Sequence, residues 1–500
     1  MGSIKLSVCF NLHRNIGFNP HFCQWRPHSS VRNGSCSVAS QYKRRSSTSS
    51  SSEEAKCKSS TPQPCLKKVL VPIGAGTEEM EAVIIIDVLR RAGAHVTVAS
   101  VERDLQIKAS LQVNIIADTL ISSCGQETFD LVVLPGGMPG SARLRDSEIL
   151  KTITRKQAEA GRLYGAISAA PVIALDAWGL LTAVEVTVHP AFSWKLSSFW
   201  TVTSNVHRDK LLTTSRGPGT AMEFALSLVE QLFGKEKSEE IEKTLVTKNN
   251  DGNGSKREEY NAVDWEVKTI PRRLPHMSKT TKKQTAGDGS KGQSEKDNCA
   301  SVDQKKPSPS ANQELLSNGI QQVANGSEEM EAVIVIDILR RAKANVVVAS
   351  IEETLEVVGS RNVKFVADKL IEDAASSEYD LIILPGGMPG AKRLQKSVSL
   401  RKLLREQALS NRIYGAICAS PVVVLETHGL LKGKKATAYP SFSGKLLDQG
   451  AVNAQVVIDG KLITSRGPGT AIEFSLAMVD KLYGKERAKN VSKGIVYDYS

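Results

Sequence analysis

Short apolar runs alternate along the chain with segments of helical spacing. Val69-Leu70-Val71-Pro72-Ile73 predicts a buried strand, and Glu79 to Ala92 predicts a helix stopped by Gly93. His95 to Ala99 and Asp130 to Leu134 predict two more strands, the second closed by Pro135-Gly136-Gly137. Ile149 to Ala160 predicts a helix, Leu163 to Ile167 a strand, and Ala170-Pro171-Val172 the start of the next helix. Leu211 to Thr214 predicts a strand, followed by a helix over Thr220 to Phe233 that Gly234 stops. Strands alternating with helices imply right-handed crossovers and a mainly parallel sheet covered on both faces, an α/β fold. Chemistry in such folds gathers at the carboxyl ends of the strands. The Gly-Gly loop, the residue after Ile167, and Ser215-Arg216-Gly217-Pro218-Gly219-Thr220 all follow strands there.

The whole pattern recurs at an offset of 250 residues. Glu78-Glu79-Met80-Glu81-Ala82-Val83 returns at 328–333, Leu134 to Gly140 at 384–390, Tyr164-Gly165-Ala166-Ile167 at 414–417, and Thr214 to Thr220 at 464–470. A unit this long can bury its own core, so the chain carries two tandem domains, expected over 66–245 and 318–500. The second copy departs from the first at its opening strand, where Gly319-Ile320-Gln321-Gln322-Val323 replaces the apolar run. Amides and a glycine in a central strand are costly. The expectation is a weak strand or its replacement by another segment, with consequences for the loop that leads to Glu331.

Residues 1–60 are rich in Ser and Arg and hold no acid before Glu53. That composition predicts a disordered transit peptide, with Ser abundance favouring the chloroplast over the mitochondrion; a plain disordered tail is the alternative. Residues 246–317 are polar and aperiodic and predict a linker, within which Tyr260 to Ile270 has enough apolar content to dock on a domain.

The net charge of +12 first suggests nucleic acid, but seven basic residues before Glu53 leave only +5 for the rest. With aromatics at 5% and no basic-aromatic stripe, nucleic acid ranks last. No apolar run reaches the ~18 residues needed to span a bilayer. Of eight cysteines only Cys124 and Cys418 fall within the two copies, and no CxxC pair suggests a metal.

Tyr414-Gly415-Ala416-Ile417-Cys418-Ala419-Ser420-Pro421 runs a strand into a helix with one Cys at a junction of small residues. Such an elbow can expose a strained nucleophile, and the helix start beyond it favours thiolate. The amides of Ala419 and Gly387 are placed to stabilise an oxyanion. An inert buried Cys is the bland alternative. Glu331, among apolar helix residues, is the second candidate: facing inward, its pKa is raised and it can exchange protons with a substrate. The alternative is an exposed helix-start Glu, which describes Glu328 and Glu329 better.

Together the Glu-Glu-Met-Glu run, Leu-Pro-Gly-Gly, the Ala-Ile-Cys-Ala elbow and Thr-Ser-Arg-Gly-Pro-Gly-Thr resemble the DJ-1/PfpI family, from Lys67 to Lys243 and from Gly319 to Ser500. With the leader, the chain is similar to plastid-targeted tandem members from plants. The resemblance implies two flavodoxin-like three-layer sandwiches, each with a site of Cys, Glu and often His, and no metal or organic cofactor. It implies activities that include glutathione-independent glyoxalase chemistry on methylglyoxal or glyoxal, deglycation, redox sensing and chaperone-like protection.

Carried over residue by residue, the second copy keeps Cys418 and Glu331 but has Tyr439 at the His position. The first copy keeps Glu81 and His189 but has Ser168 as nucleophile, so its site is read as degenerate. Arg361 matches a family arginine at the site mouth, where the first copy has Leu111, and Arg91 and Arg341 match a dimer-interface position. Ser-Arg-Gly-Pro-Gly-Thr is assigned to a structural turn. Two copies on one chain predict an intramolecular pseudo-dimer, with further homo-oligomers open. Three functions compete: a glyoxalase-like enzyme taking a small dicarbonyl through Cys418, a non-catalytic pseudoenzyme supporting plastid maintenance, and a peroxide sensor that oxidises Cys418.

Overall fold

The computed structural model of the protein describes residues 66–196, 201–247, 256–262 and 316–499. The expected transit peptide, and residues 263–270 of the expected docking segment, lie outside them.

Each copy is an α/β sandwich. In the first, seven strands lie in the order Thr119–Leu120, His95–Ser100, Lys68–Ile73, Leu131–Leu134, Leu163–Ile167, Leu212–Ser215 and Val206–Asp209. All neighbours are parallel except the last two, which form an antiparallel edge. Lys68–Ile73 is central and, after Lys68, buried throughout, as a strand covered on both faces requires. The helix Glu79–Arg91 packs against the helix Ala221–Phe233 on one face. Leu163–Ile167 ends at the predicted residue and turns into a helix over Pro171–Leu175.

The second copy repeats this order, with two differences. Asn318–Val323 does form the central strand, paired in parallel with Asn345–Ser350 and Leu381–Leu384, so the expectation of a replaced strand is not met. Its cost is visible nonetheless. Gln321 Nε2 reaches Ala332 O at 3.1 Å, but Gln321 Oε1 and both polar atoms of Gln322 are buried without partners. Neighbouring backbone ladders hold the strand where its side chains do not.

The other difference revises the linker. Arg257–Tyr260 is a strand, added in parallel to the edge strand Val456–Asp459. Val456 N donates to Lys256 O at 3.1 Å and Gly460 N to Tyr260 O at 3.0 Å. Arg257 pairs with Asp480 at 3.1 Å and Lys481 with Glu259 at 2.5 Å. The docking segment therefore begins before Tyr260.

The two copies pack on each other through their first helices, Glu79–Arg91 and Glu329–Arg341. Asn114–Ile116 pairs with Lys364–Val366, joining a hairpin from each copy into one four-stranded sheet. Buried residues of both copies join in one continuous core, and each copy keeps a further core of its own. Among the described residues no helix is long and apolar enough to cross a membrane.

Candidate active site

Cys418 sits at φ +64° between the strand Ile413–Ile417 and the helix Pro421–Glu426. Non-glycine residues rarely adopt that conformation, and at this elbow it is held by backbone bonds on both sides. Cys418 N donates to Ser465 O at 3.0 Å, and Cys418 O accepts from Tyr439 N at 2.9 Å. The side chain is partly exposed and opens into a cavity of about 320 Å³.

Glu331 lies in the first turn of its helix and is fully buried. Its Oε2 accepts from Gly386 N at 2.7 Å, and Oε1 is buried without a hydrogen-bond partner. Acid and thiol converge on one face of Gly386, where a methyl would lie 2.7 Å from Glu331 Oε2, 2.5 Å from Cys418 Cβ and 2.9 Å from its Sγ. Only glycine fits. Gly387 adopts φ +83° and would strike Gly326 O at 2.3 Å with any side chain. The Leu-Pro-Gly-Gly motif thus leaves room for acid and thiol to meet over a bare backbone.

Burial raises the Glu331 carboxyl to about 8, with the Gly386 amide, Cys418 and Arg91 opposing the shift. The inward-facing reading of Glu331 holds, and the acid is neutral near pH 7. The thiol differs from expectation. Burial pushes Cys418 well up from its ordinary value, the charges of Glu331 and Glu328 add to this, and the Gly387 amide opposes it. The following helix spans six residues, too short to outweigh desolvation. The direction of the shift favours thiol over thiolate. The Gly387 amide reaches the sulfur, and both expected oxyanion donors, Gly387 and Ala419, line the cavity.

Residues of both copies build this cavity. Arg91 and Thr244 come from the first copy, and Glu328, Arg361, Cys418 and Tyr439 from the second. Arg91 meets Glu328 at 2.7 Å, and Glu328 caps its own helix by accepting from Glu331 N at 3.2 Å. Tyr439 Oη donates to Thr244 O at 3.1 Å, so the hydroxyl in place of the expected His is turned towards the other copy.

The first copy keeps the frame. Ser168 also sits at φ +64°, and Glu81 Oε2 accepts from Gly136 N at 2.7 Å. His189 is no base for Ser168. Its Nδ1 accepts from Ala191 N at 3.2 Å, which leaves Nε2 to donate to Gly494 O at 3.2 Å. Burial lowers its pKa. Both ring nitrogens are engaged in structural bonds.

Ser-Arg-Gly-Pro-Gly-Thr is a turn, as expected, with a role the sequence did not disclose. Gly219 N donates to Ile495 O at 2.6 Å, and a methyl on Gly469 would lie 2.8 Å from Leu245 O. In each copy the motif is a notch that receives the other copy's C-terminal arm. The trios Glu78, Glu79, Asp337 and Asp87, Glu328, Glu329 each converge within 4.8 Å. Arg341 bridges Glu78 and Asp337 of the first trio, and Arg91 bridges Asp87 and Glu328 of the second.

The DJ-1/PfpI family model matches residues 67–231 and 321–481. The chain belongs to the DJ-1/PfpI family. Protein DJ-1 homolog B of Arabidopsis thaliana is 46% identical over 87% of this chain and 89% of its own length. Protein DJ-1 homolog A of the same plant is 43% identical over 85% of this chain and 98% of its own length. The glutathione-independent glyoxalase DJR-1.2 of Caenorhabditis elegans is 35% identical over 34% of this chain and 89% of its own length. The two plant relatives align over most of this chain, whereas the glyoxalase aligns over about a third of it.

Proposed function

We propose that this DJ-1 protein protects against reactive small carbonyls, as a glutathione-independent glyoxalase whose working site is in the second copy. The observation that carries the reading is Glu331 and Cys418 converging on one face of Gly386, with the cysteine lining a cavity of about 320 Å³. The reacting form is the fraction of molecules in which the pair has released one of its two protons to solvent, leaving a thiolate beside a neutral Glu331. The sulfur attacks the aldehyde carbon of a 2-oxoaldehyde, and the new alkoxide takes the Glu331 proton. The carboxylate then removes the hydrogen from that carbon as a proton and returns it to the adjacent one, while the hydroxyl proton passes from the first oxygen to the second, leaving a 2-hydroxy thioester. Water cleaves the C–S bond and releases the 2-hydroxy acid, lactate from methylglyoxal or glycolate from glyoxal. A carboxyl raised to about 8 is matched to such transfers near neutral pH. Full-length protein should consume methylglyoxal without glutathione, and Cys418→Ser should abolish this. Equal rates in the two proteins would end the proposal.

The first copy is read as a degenerate site that serves as structural partner, because Ser168 lacks an activating base. The leader composition supports delivery to the chloroplast, which a fluorescent fusion of residues 1–65 tests; cytosolic fluorescence would reject it.

A second reading, a non-catalytic protein acting through contacts, is favoured by the protonated thiol and by Tyr439 facing Thr244. It predicts that Cys418→Ser restores a plant lacking the protein as well as wild type does.

A further inference from the structure

Arg361 makes no structural use of its guanidinium. Its backbone does the work: N–H donates to Glu329 at 2.8 and 3.1 Å, and C=O accepts from Arg90 Nη1 at 2.9 Å. Leu111 in the first copy makes the same bonds, with N–H donating to Glu79 at 2.9 and 3.0 Å and C=O accepting from Arg340 at 2.9 Å. The fold therefore holds this position with either side chain.

In the second copy the side chain is exposed and lines the Cys418 cavity. The nearby acids are already committed. Glu328 is bound by Arg91, and Glu329 accepts from Ser360 Oγ at 2.9 Å and Val363 N at 3.2 Å as well as from Arg361 N. Among the described residues the guanidinium has no carboxylate partner. A cation that the fold does not need thus lines the nucleophile's cavity, and the copy without the nucleophile has a leucine there.

We infer that the second copy selects 2-oxoaldehydes bearing an anionic group, such as a phosphate, on the carbon beyond the dicarbonyl. Arginine presents a planar set of donors suited to a phosphate, and a cavity of about 320 Å³ holds a three-carbon phosphate. The inference rests on the glyoxalase reading and names its substrate class. For 2-oxo-3-phosphooxypropanal the balance is unchanged: hydrogen moves from C1 to C2, one water is added across the thioester, and 3-phosphoglycerate leaves with its phosphate intact. No oxidant or reductant is consumed.

Two measurements on the full-length protein separate this inference from the reading beneath it. The first is kcat/KM for 2-oxo-3-phosphooxypropanal relative to methylglyoxal. The phosphorylated substrate should be preferred, Arg361→Leu should lower the ratio about tenfold, and Arg361→Lys should fall between wild type and Arg361→Leu. The second needs no turnover. 3-Phosphoglycerate should slow alkylation of Cys418 by iodoacetamide at lower concentration than lactate does, and Arg361→Leu should remove that difference. Turnover of methylglyoxal without preference or protection overturns the anionic selectivity alone. Protection without turnover of either aldehyde supports the anion site and ends the glyoxalase reading. Neither turnover nor protection ends both.

Discussion

Arg91, in the copy that lacks the cysteine, holds Glu328, in the copy that has it, at 2.7 Å. The same guanidinium grips Asp87 on its own helix. Because Glu328 caps the helix that carries Glu331, the first copy positions the second copy's acid. The reciprocal pair, Arg341 with Glu78, closes at 2.6 Å.

Arg91→Ala leaves Asp87 and Glu328 buried without their counter-charge. Removing one member of a buried pair costs about 3–5 kcal/mol. Urea unfolding should show a loss of that order, and Cys418 alkylation should change although no second-copy residue has been altered. An unchanged midpoint would show the pair to be dispensable.

Gln322→Met replaces a buried amide with no partners by an apolar side chain of similar volume. Relief of an unsatisfied amide is worth about 1–3 kcal/mol. The unfolding midpoint should rise; a fall would mean that the amide is satisfied in solution.

The Glu331 carboxyl, ordinarily near 4.5, is raised to about 8. The native state therefore keeps a proton that the unfolded chain releases, and stability drops as pH climbs from about 4.5 to 8, by at most about 1.4 kcal/mol per unit from this group. Glu331→Gln keeps an acceptor for Gly386 N–H and removes the titration. Its stability relative to wild type should grow across that window, measured by denaturant unfolding at several pH values. A constant difference would place the carboxyl's pKa near its ordinary value.

Val456 and Gly460 donate to the linker strand, whereas among the described residues no strand lies outside Val206–Asp209 in the first copy. Hydrogen exchange at Val456 and Gly460 should be slower than at Val206 and Lys210. Equal rates would show the linker strand to be detached in solution.

The chain order of apolar runs, glycine stops and the 250-residue repeat is enough to read two α/β domains, because each element buries its own local pattern. Leu163–Ile167 was legible to the residue, and Glu79–Arg91 to within one. The short hairpin strands, such as Asn114–Ile116, were not, since three residues carry no usable period and pair across copies. Arg257–Tyr260 was hidden because a strand at an edge is specified by the ladder that receives it. Asn318–Val323 misled for the same reason: its place is fixed by the strands on either side, against its own side chains.

By itself the sequence determined the family, the duplication, and which copy retains Cys418 and Glu331, since these are matters of residue identity and spacing. Tertiary structure decided the protonation of the thiol and the building of one cavity from two copies. It also decided that the guanidinium of Arg361 is left over. Burial and long-range electrostatics depend on which distant groups meet, and segments 200 and more residues apart meet here only through the packing of one copy on the other.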